Sequence, residues 1–323
     1  MYNDLTLRDG SHAISHQLSI EDIEDYCKFA EESGIKVIEV GHGNGLGASS
    51  LLIGESKSSD YEMIKIARKH LVNTKLSVHI IPGLATISKN IDMAIELGVD
   101  IFRVASHCTE ASVTKTHIEY LASKGKTVYG VLMMCATCST DRLIEEALKL
   151  KSYGAGAIII MDSSGSFMPE DVKERIGRLV RETDLPIGFH GHNNLHMAVA
   201  NSLAAIESGA SIIDVTMRGF GAGAGNTSLE IMATLYPEAG LDTIKILKKC
   251  ETFKYFYPTC KSVNILTAKH KMMAGFEKHI YKAASQYDIS VINLIDNLAT
   301  QKLTAGQEDF IYVTAKVLQS LKM

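Results

Sequence analysis

Short runs of β-branched and apolar residues alternate along this chain with longer stretches whose apolar positions recur every three or four residues. The runs are LTL near Asp4, KVIEV from Lys36, KLSVHII from Lys75, DIFRVA from Asp100, TVYGVLMM from Thr127, AIIIM from Ala157, PIGFH from Pro186 and IIDVT from Ile212. Their starts fall about 25 to 39 residues apart, the length of one βα unit. Several runs are apolar on both faces, as parallel strands covered by helices are. Between them, residues 20–33 follow Ser19, which with Asp22 three residues on makes a helix-starting pair. EDVKERIGRLV follows Pro169, a residue suited to a first helical turn. Eight βα units in about 240 residues predict a (β/α)₈ TIM barrel, with a doubly wound open sheet as the alternative. After about Leu241 the pattern turns helical only, over 241–256, 276–287, 289–299 and 307–321. Two domains follow from this: a barrel over 1–240 and a helical domain over 241–323, placed beside the barrel mouth or used for oligomerisation.

Composition narrows the class without changing that picture. The 323 residues include 33 Lys+Arg and 37 Asp+Glu, a formal charge of −4, and hydrophobic residues make up 46%. A chain this apolar can offset its ordering entropy, so a disordered chain is excluded. Near-neutral charge without a basic block argues against a nucleic-acid surface. No apolar run approaches the ~20 residues of a membrane helix, and the opening MYNDLTLRDGSHAISHQ has no apolar core of the secretory kind. A cytoplasmic chain is the expectation. The six scattered cysteines fit reduced thiols, and Cys135-x-x-Cys138, with no second pair at zinc spacing, is taken as two incidental thiols.

In a barrel the chemistry gathers at the C-terminal strand ends. The first end carries Thr6-Leu7-Arg8-Asp9-Gly10-Ser11-His12, and the seventh His190-Gly191-His192-Asn193-Asn194. Residues two apart on a strand share a side, so both imidazoles reach one point. Strands 1 and 7 have one neighbour between them in a closed ring of eight. Asp9, His190 and His192 are therefore candidate ligands of one divalent metal, a mixed N/O set. The eighth strand enters GFGAGAGN (219–226), either a phosphate cradle or a tight loop, with Asn226 able to offer an amide oxygen to a metal or its water. His42, Asn44, His107 and Asp162-Ser163-Ser164 also stand at strand ends. Ser163 is the first choice among them as a carboxylate contact.

These segments together resemble the pyruvate-producing metal aldolases typified by 4-hydroxy-2-oxovalerate aldolase, within a wider group that includes 3-hydroxy-3-methylglutaryl-CoA lyase and 2-isopropylmalate synthase. The resemblance is carried by TLRDGSH (6–12), IEVGHGNGLGASS (38–50), FRVASHCTEASVTKTHIEY (102–120), MDSSG (161–165), HGHNNL (190–195), GAGAGN (221–226) and GQEDFI (306–311). It implies a barrel with a C-terminal helical domain, holding Mn²⁺ or else Mg²⁺, Co²⁺ or Zn²⁺. By family pattern Asp9, His190 and His192 are the metal ligands and Arg8 stabilises an enolate. His12 is the general base and Ser163 contacts the substrate carboxylate. An acylating aldehyde dehydrogenase or a second copy of the chain is the implied partner. Two positions depart from the pattern. Asn193 stands where the family tends to have a further histidine. Met273, in HKMMAGF (270–276), falls where the family places a tyrosine near the active site, and a thioether donates no proton. Tyr281 and His270 are the candidate substitutes.

The expected reaction is retro-aldol cleavage of a 4-hydroxy-2-oxo acid to pyruvate and an aldehyde. No lysine stands out for an imine, whereas a metal constellation is present. The alternatives are a Claisen-type synthase joining an acyl-CoA to a 2-oxo acid, and a non-catalytic barrel kept for partner binding.

Overall fold

The computed structural model describes residues 1–238, 240–255 and 258–321. All eight apolar runs are strands: β1 Tyr2–Leu7, β2 Val37–Val40, β3 Lys75–Ile80, β4 Ile101–His107, β5 Thr127–Met133, β6 Ala157–Asp162, β7 Ile187–Gly191 and β8 Ile212–Val215. They pair in parallel in chain order, and β8 returns to β1 with Tyr2 opposite Ile213, so the sheet is a closed barrel rather than a doubly wound one.

Local chemistry starts the helices where the sequence places them. In α1 (Ile20–Ser33) the Ser19 hydroxyl accepts from Asp22 N at 3.2 Å, while Asp22 accepts from Ser19 N at 2.9 Å. This reciprocal cap satisfies two of the amides that a helix start leaves open. Helices α2 (Asp60–His70), α3 (Asp92–Glu96), α4 (Lys115–Ser123), α5 (Thr140–Tyr153), α6 (Pro169–Thr183), α7 (Ala198–Glu207) and α8 (Leu229–Leu235) complete the outer ring. Pro169 opens α6, where its missing N–H costs nothing.

Alternation along each strand divides the core. On β3, Leu76, Val78 and Ile80 pack outward under the helices, while Ser77 turns inward to within 3.4 Å of Glu39 Oε2. The barrel interior holds a second apolar cluster that includes Val37, Tyr129, Met133, Ile159 and Met161.

Beyond the barrel come α9 (Thr243–Thr252), α10 (Ser262–Lys269), α11 (Glu277–Gln286), α12 (Val291–Leu298) and α13 (Asp309–Ser320). No strand occurs among the described residues of this stretch; Phe256, the end of the first expected helix, lies outside them. Helix α10 was not expected. Ile246 and Cys250 of α9 belong to the barrel core, and a separate core of Val263, Phe276, Ile280, Leu294 and Ile311 holds α10–α13 together. None of the described helices is long and apolar enough to cross a membrane.

Candidate active site

Asp9 follows β1, and His190 and His192 come from the end of β7 and just beyond it. One donor atom from each lies within 4.8 Å of the other two, and all three residues are buried. The imidazoles face each other through their Nε2 atoms at 3.3 Å, and His190 Nδ1 stands 3.1 Å from Asp214 Oδ2. A carboxylate at Nδ1 fixes the tautomer that leaves the Nε2 lone pair pointing at the shared point. Burial opposes ionisation of Asp9, yet Arg8, His192 and His190 outweigh it and hold the carboxyl well below its usual range. Burial pushes His192 down to about 4, against the pull of Asp9.

Asn226 sits beside this group. Its Nδ2 donates to Asp9 Oδ1 at 2.7 Å, while its Oδ1 is buried with no hydrogen-bond partner. An anionic carboxylate and two imidazole lone pairs around one point, with an orphaned amide oxygen on neighbouring Asn226, form a donor set that fits a divalent cation. The glycine-rich loop is spent on this packing. Ala222 N, Ala224 N and Gly225 N bond Asp9, Asn194 and Ala222, and a Cβ on Gly221 would lie 2.0 Å from Asn226 Nδ2. These contacts fit the tight-loop alternative.

Arg8 is held from two sides. Nε donates to Glu39 Oε1 at 2.6 Å, and Nη1 donates to Asp9 Oδ2 at 2.7 Å and to Gly43 O at 3.1 Å. Nη2 is buried without a partner, and Arg8 lines a small inner cavity of about 30 Å³. Glu39 continues to Arg103, whose Nε lies 3.1 Å from Glu39 Oε2 and whose Nη1 donates to Asp214 Oδ1 at 2.8 Å. A continuous run of charges thus leads from Asp9 through Arg8, Glu39, Arg103 and Asp214 to His190. Glu39, Arg103 and Asp214 were not singled out in the sequence. Their signal was there: one charged residue inside each of the buried runs VIEV, IFRVA and IIDV.

His12 lines the same cavity and also an outer one of about 650 Å³ beneath the helical domain. Its ring lies against Gly43, where a Cβ would meet Nε2 at 2.4 Å, so only glycine admits it. Burial pushes its pKa down to about 3, which leaves a neutral imidazole with a free lone pair at neutral pH. Ser163 lines the inner cavity. Its Oγ accepts from Met134 N at 2.9 Å, leaving its own hydroxyl hydrogen to donate.

Met273 also lines both cavities, in a segment tied down by Ala274 N donating to Ser163 O at 2.8 Å. Neither candidate substitute reaches the inner cavity. Tyr281 lines only the outer one, and His270 pairs with Asp296. His42 lines neither cavity; its Nε2 stands 3.0 Å from Gly54 O, its Nδ1 accepts from Asn44 N, and it stacks on His16. His107 turns to Thr109, and Cys135 and Cys138 are free thiols. His79, on β3, lines the inner cavity and was not expected there. Its signal was a polar residue at an inward position of KLSVHII.

Residues 1–252 match the HMGL-like family model, and residues 272–320 match a DmpG-like communication domain. The 4-hydroxy-2-oxovalerate aldolase of Pectobacterium atrosepticum is 48% identical over 98% of this chain and 94% of its own length. That of Spirochaeta aurantia is 45% identical over 98% of this chain and 95% of its own length. The carboxyl transferase domain of Rhizobium etli pyruvate carboxylase superposes on all of this chain and 60% of that one, with a TM-score of 0.82 at 17% identity, a likeness of fold alone. Matched along almost its whole length, the chain belongs to the HMGL-like family and, within it, to the 4-hydroxy-2-oxovalerate aldolases.

Proposed function

We propose that this chain cleaves a 4-hydroxy-2-oxo acid of the 4-hydroxy-2-oxopentanoate type to pyruvate and an aldehyde, as a divalent-metal-dependent carbon–carbon lyase. The observation that carries the proposal is the convergence of Asp9, His190 and His192 beside the unpartnered Nη2 of Arg8. Those three residues would hold the ion, Mn²⁺ first, with Mg²⁺, Co²⁺ or Zn²⁺ suited to the same N/O donors. When bound, it supplies Lewis-acid polarisation of the 2-oxo acid's oxygens.

The chain's own groups account for the rest. Ser163 donates its hydroxyl to the substrate carboxylate. His12, neutral and at the cavity wall, takes the proton from the 4-hydroxyl; the C3–C4 bond then breaks, releasing the aldehyde and leaving a pyruvate enolate. Arg8 Nη2 supplies a fixed donor to the oxygen on which negative charge develops. Enolate protonation has no side-chain acid at position 273; water entering through the outer cavity gives the proton, and the hydroxide left takes the proton from His12, which returns to its neutral form.

The wider organisation follows the same reading. The barrel (1–240) does the chemistry, and the helical domain (241–323) is fastened to it by α9. The communication-domain match over 272–320 supports docking of an acylating aldehyde dehydrogenase that consumes the aldehyde in the cytoplasm. The Claisen-type synthase is set aside by identity with the aldolases, and the non-catalytic barrel by the intact constellation.

The test is metal stripping combined with pyruvate release. Chelated protein should lose cleavage of 4-hydroxy-2-oxopentanoate and bind Mn²⁺ in direct titration. Activity should then return, and borohydride in the presence of pyruvate should leave it intact. Chelator-resistant cleavage, or inactivation by borohydride, overturns the metal route.

A further inference from the structure

His79 is 2% exposed, and its Nδ1 is buried with no hydrogen-bond partner. Alternation on β3 turns it inward with Ser77, and it lines the inner cavity among the apolar side chains of Ile81, Met133, Met161 and Met273. A desolvated polar atom without a partner is rare in a folded interior, because folding deprives it of water and gives nothing back. In a cavity wall such an atom is explained by a ligand that supplies the missing partner.

The barrel's closure says which part of a substrate that is. In a ring of eight strands joined in order, β3 stands opposite β7, which carries His190. Ser163, just after β6, is on that far side as well. The near side belongs to His12: its ring lies on Gly43 in the loop after β2, and that loop is sewn to β3 by Leu46 N donating to His79 O at 2.9 Å. On the function proposed above, on which this inference rests, the pyruvate half lies with the metal ligands and Ser163. The 4-hydroxyl faces His12, and the aldehyde half beyond it faces His79.

We infer that His79 is a specificity-determining residue that hydrogen-bonds a hydroxyl group on the aldehyde half of the substrate. The preferred aldehyde is therefore a hydroxyaldehyde rather than a plain alkyl one. Ile81, Met133, Met161 and Met273, which line the cavity with it, are apolar and offer an alkyl chain no loss in packing. What separates the two is the imidazole, which a hydroxyl satisfies and a methyl leaves unpaired. A site that hydrogen-bonds a substrate hydroxyl discriminates strongly against the analogue lacking it.

Glycolaldehyde and propanal have equal numbers of heavy atoms and differ in this group alone. In the condensation direction, with pyruvate and Mn²⁺, the wild-type protein should favour glycolaldehyde by roughly 10- to 100-fold in kcat/KM. His79→Leu should bring that ratio to about one or below, and His79→Gln, which keeps a hydrogen-bonding group, should retain part of it. A wild-type ratio at or below one, or a ratio that His79→Leu leaves unchanged, overturns the inference. If His79→Leu does not fold, as judged by circular dichroism, a His79→Gln ratio equal to that of the wild type overturns it and an intermediate ratio supports it. Deuterium exchange into the pyruvate methyl group separates the two levels. Exchange with no preference for glycolaldehyde refutes His79 alone; no exchange and no condensation with either aldehyde refutes the aldolase reading, and His79's role falls with it.

Discussion

Below the inner cavity, Asp9, Glu39 and Asp214 each face a guanidinium, and Arg8 and Arg103 each bridge two carboxylates. Above it, the segment 273–276 is held by one backbone bond to Ser163, a short turn closed by Phe276 N on Met273 O, and apolar contacts. The floor consists of charges whose positions depend on one another, drawn from the turn after β1 and from β2, β4 and β8. The roof consists of contacts that another side chain of similar bulk could make. Met273, where the resemblance places a family tyrosine, falls in the roof, whereas Asp9, Arg8 and Glu39 belong to the floor. Preorganised charge tolerates little substitution because one loss leaves several buried groups unpaired. An apolar lid loses only area.

The largest expected effect breaks the floor. Arg103 is fully buried, and its charge is favoured by Asp214 and Glu39 against the cost of burial. Arg103→Met leaves two buried carboxylates without their shared cation, and a break of this kind costs about 3–5 kcal/mol. Urea unfolding should show that loss. Direct Mn²⁺ titration should show affinity weakened roughly 10- to 100-fold, because Asp214 no longer holds His190 in place. A loss within 1 kcal/mol and an unchanged affinity would mean that the floor's charges do not depend on one another.

A second carboxylate sharpens the same contrast. Asp4 and Asp214 are both fully buried, yet their acidities move apart. At Asp214, Arg103 overrides burial and holds the carboxyl far below its usual range. Asp4 has no cation; it accepts from Thr6 N at 2.9 Å and Tyr26 Oη at 2.6 Å, and burial still pushes it up to about 6 from 3.8. A pKa raised in the fold means that the folded state binds the proton more tightly. This contribution to stability is therefore fully present below pH ~4 and lost as pH rises through about 6. The gap of about two pH units amounts to about 3 kcal/mol. Wild type should lose that much relative to Asp4→Asn between pH 4 and pH 7 in urea unfolding. A constant difference would show that desolvation does not govern Asp4.

The same division explains what the sequence made legible. The strands announce themselves because two-sided burial demands continuous apolar runs, and α1 and α6 because Ser19, Asp22 and Pro169 are local signals. Asp9, His190 and His192 are legible because their convergence needs only the two-residue period and the order of strands. Glu39, Arg103 and Asp214 show only as charged residues inside buried runs, and their pairing is not legible: Arg103 and Asp214 stand 111 residues apart and meet only when the barrel closes. His79 shows in sequence only as a polar residue at an inward strand position; that its buried Nδ1 has no hydrogen-bond partner is visible only in the fold. Helix α10 lies between clearer patterns and its N-cap is Lys261, not a residue that marks a helix start in sequence; the cap it has, Asn264 Oδ1 accepting from Lys261 N at 2.8 Å, appears only in the fold.

The smallest effect tests the roof. Met273 lines both cavities and is half-buried, so a tyrosine there could follow the same path and extend toward the outer cavity without displacing the floor. A thioether supplies no proton, whereas a phenol does. If enolate protonation by water limits turnover, Met273→Tyr should raise pyruvate release by up to about tenfold, which is about 1.4 kcal/mol of barrel-mouth chemistry. Met273→Phe fills the same space without the hydroxyl and should not raise it. Mn²⁺ affinity should be the same in both variants, because neither touches the ion-paired ring. A rise in both variants would assign the effect to packing of the lid. A rate unchanged by tyrosine would mean that position 273 contributes shape alone, and that the roof can vary without consequence for the proton.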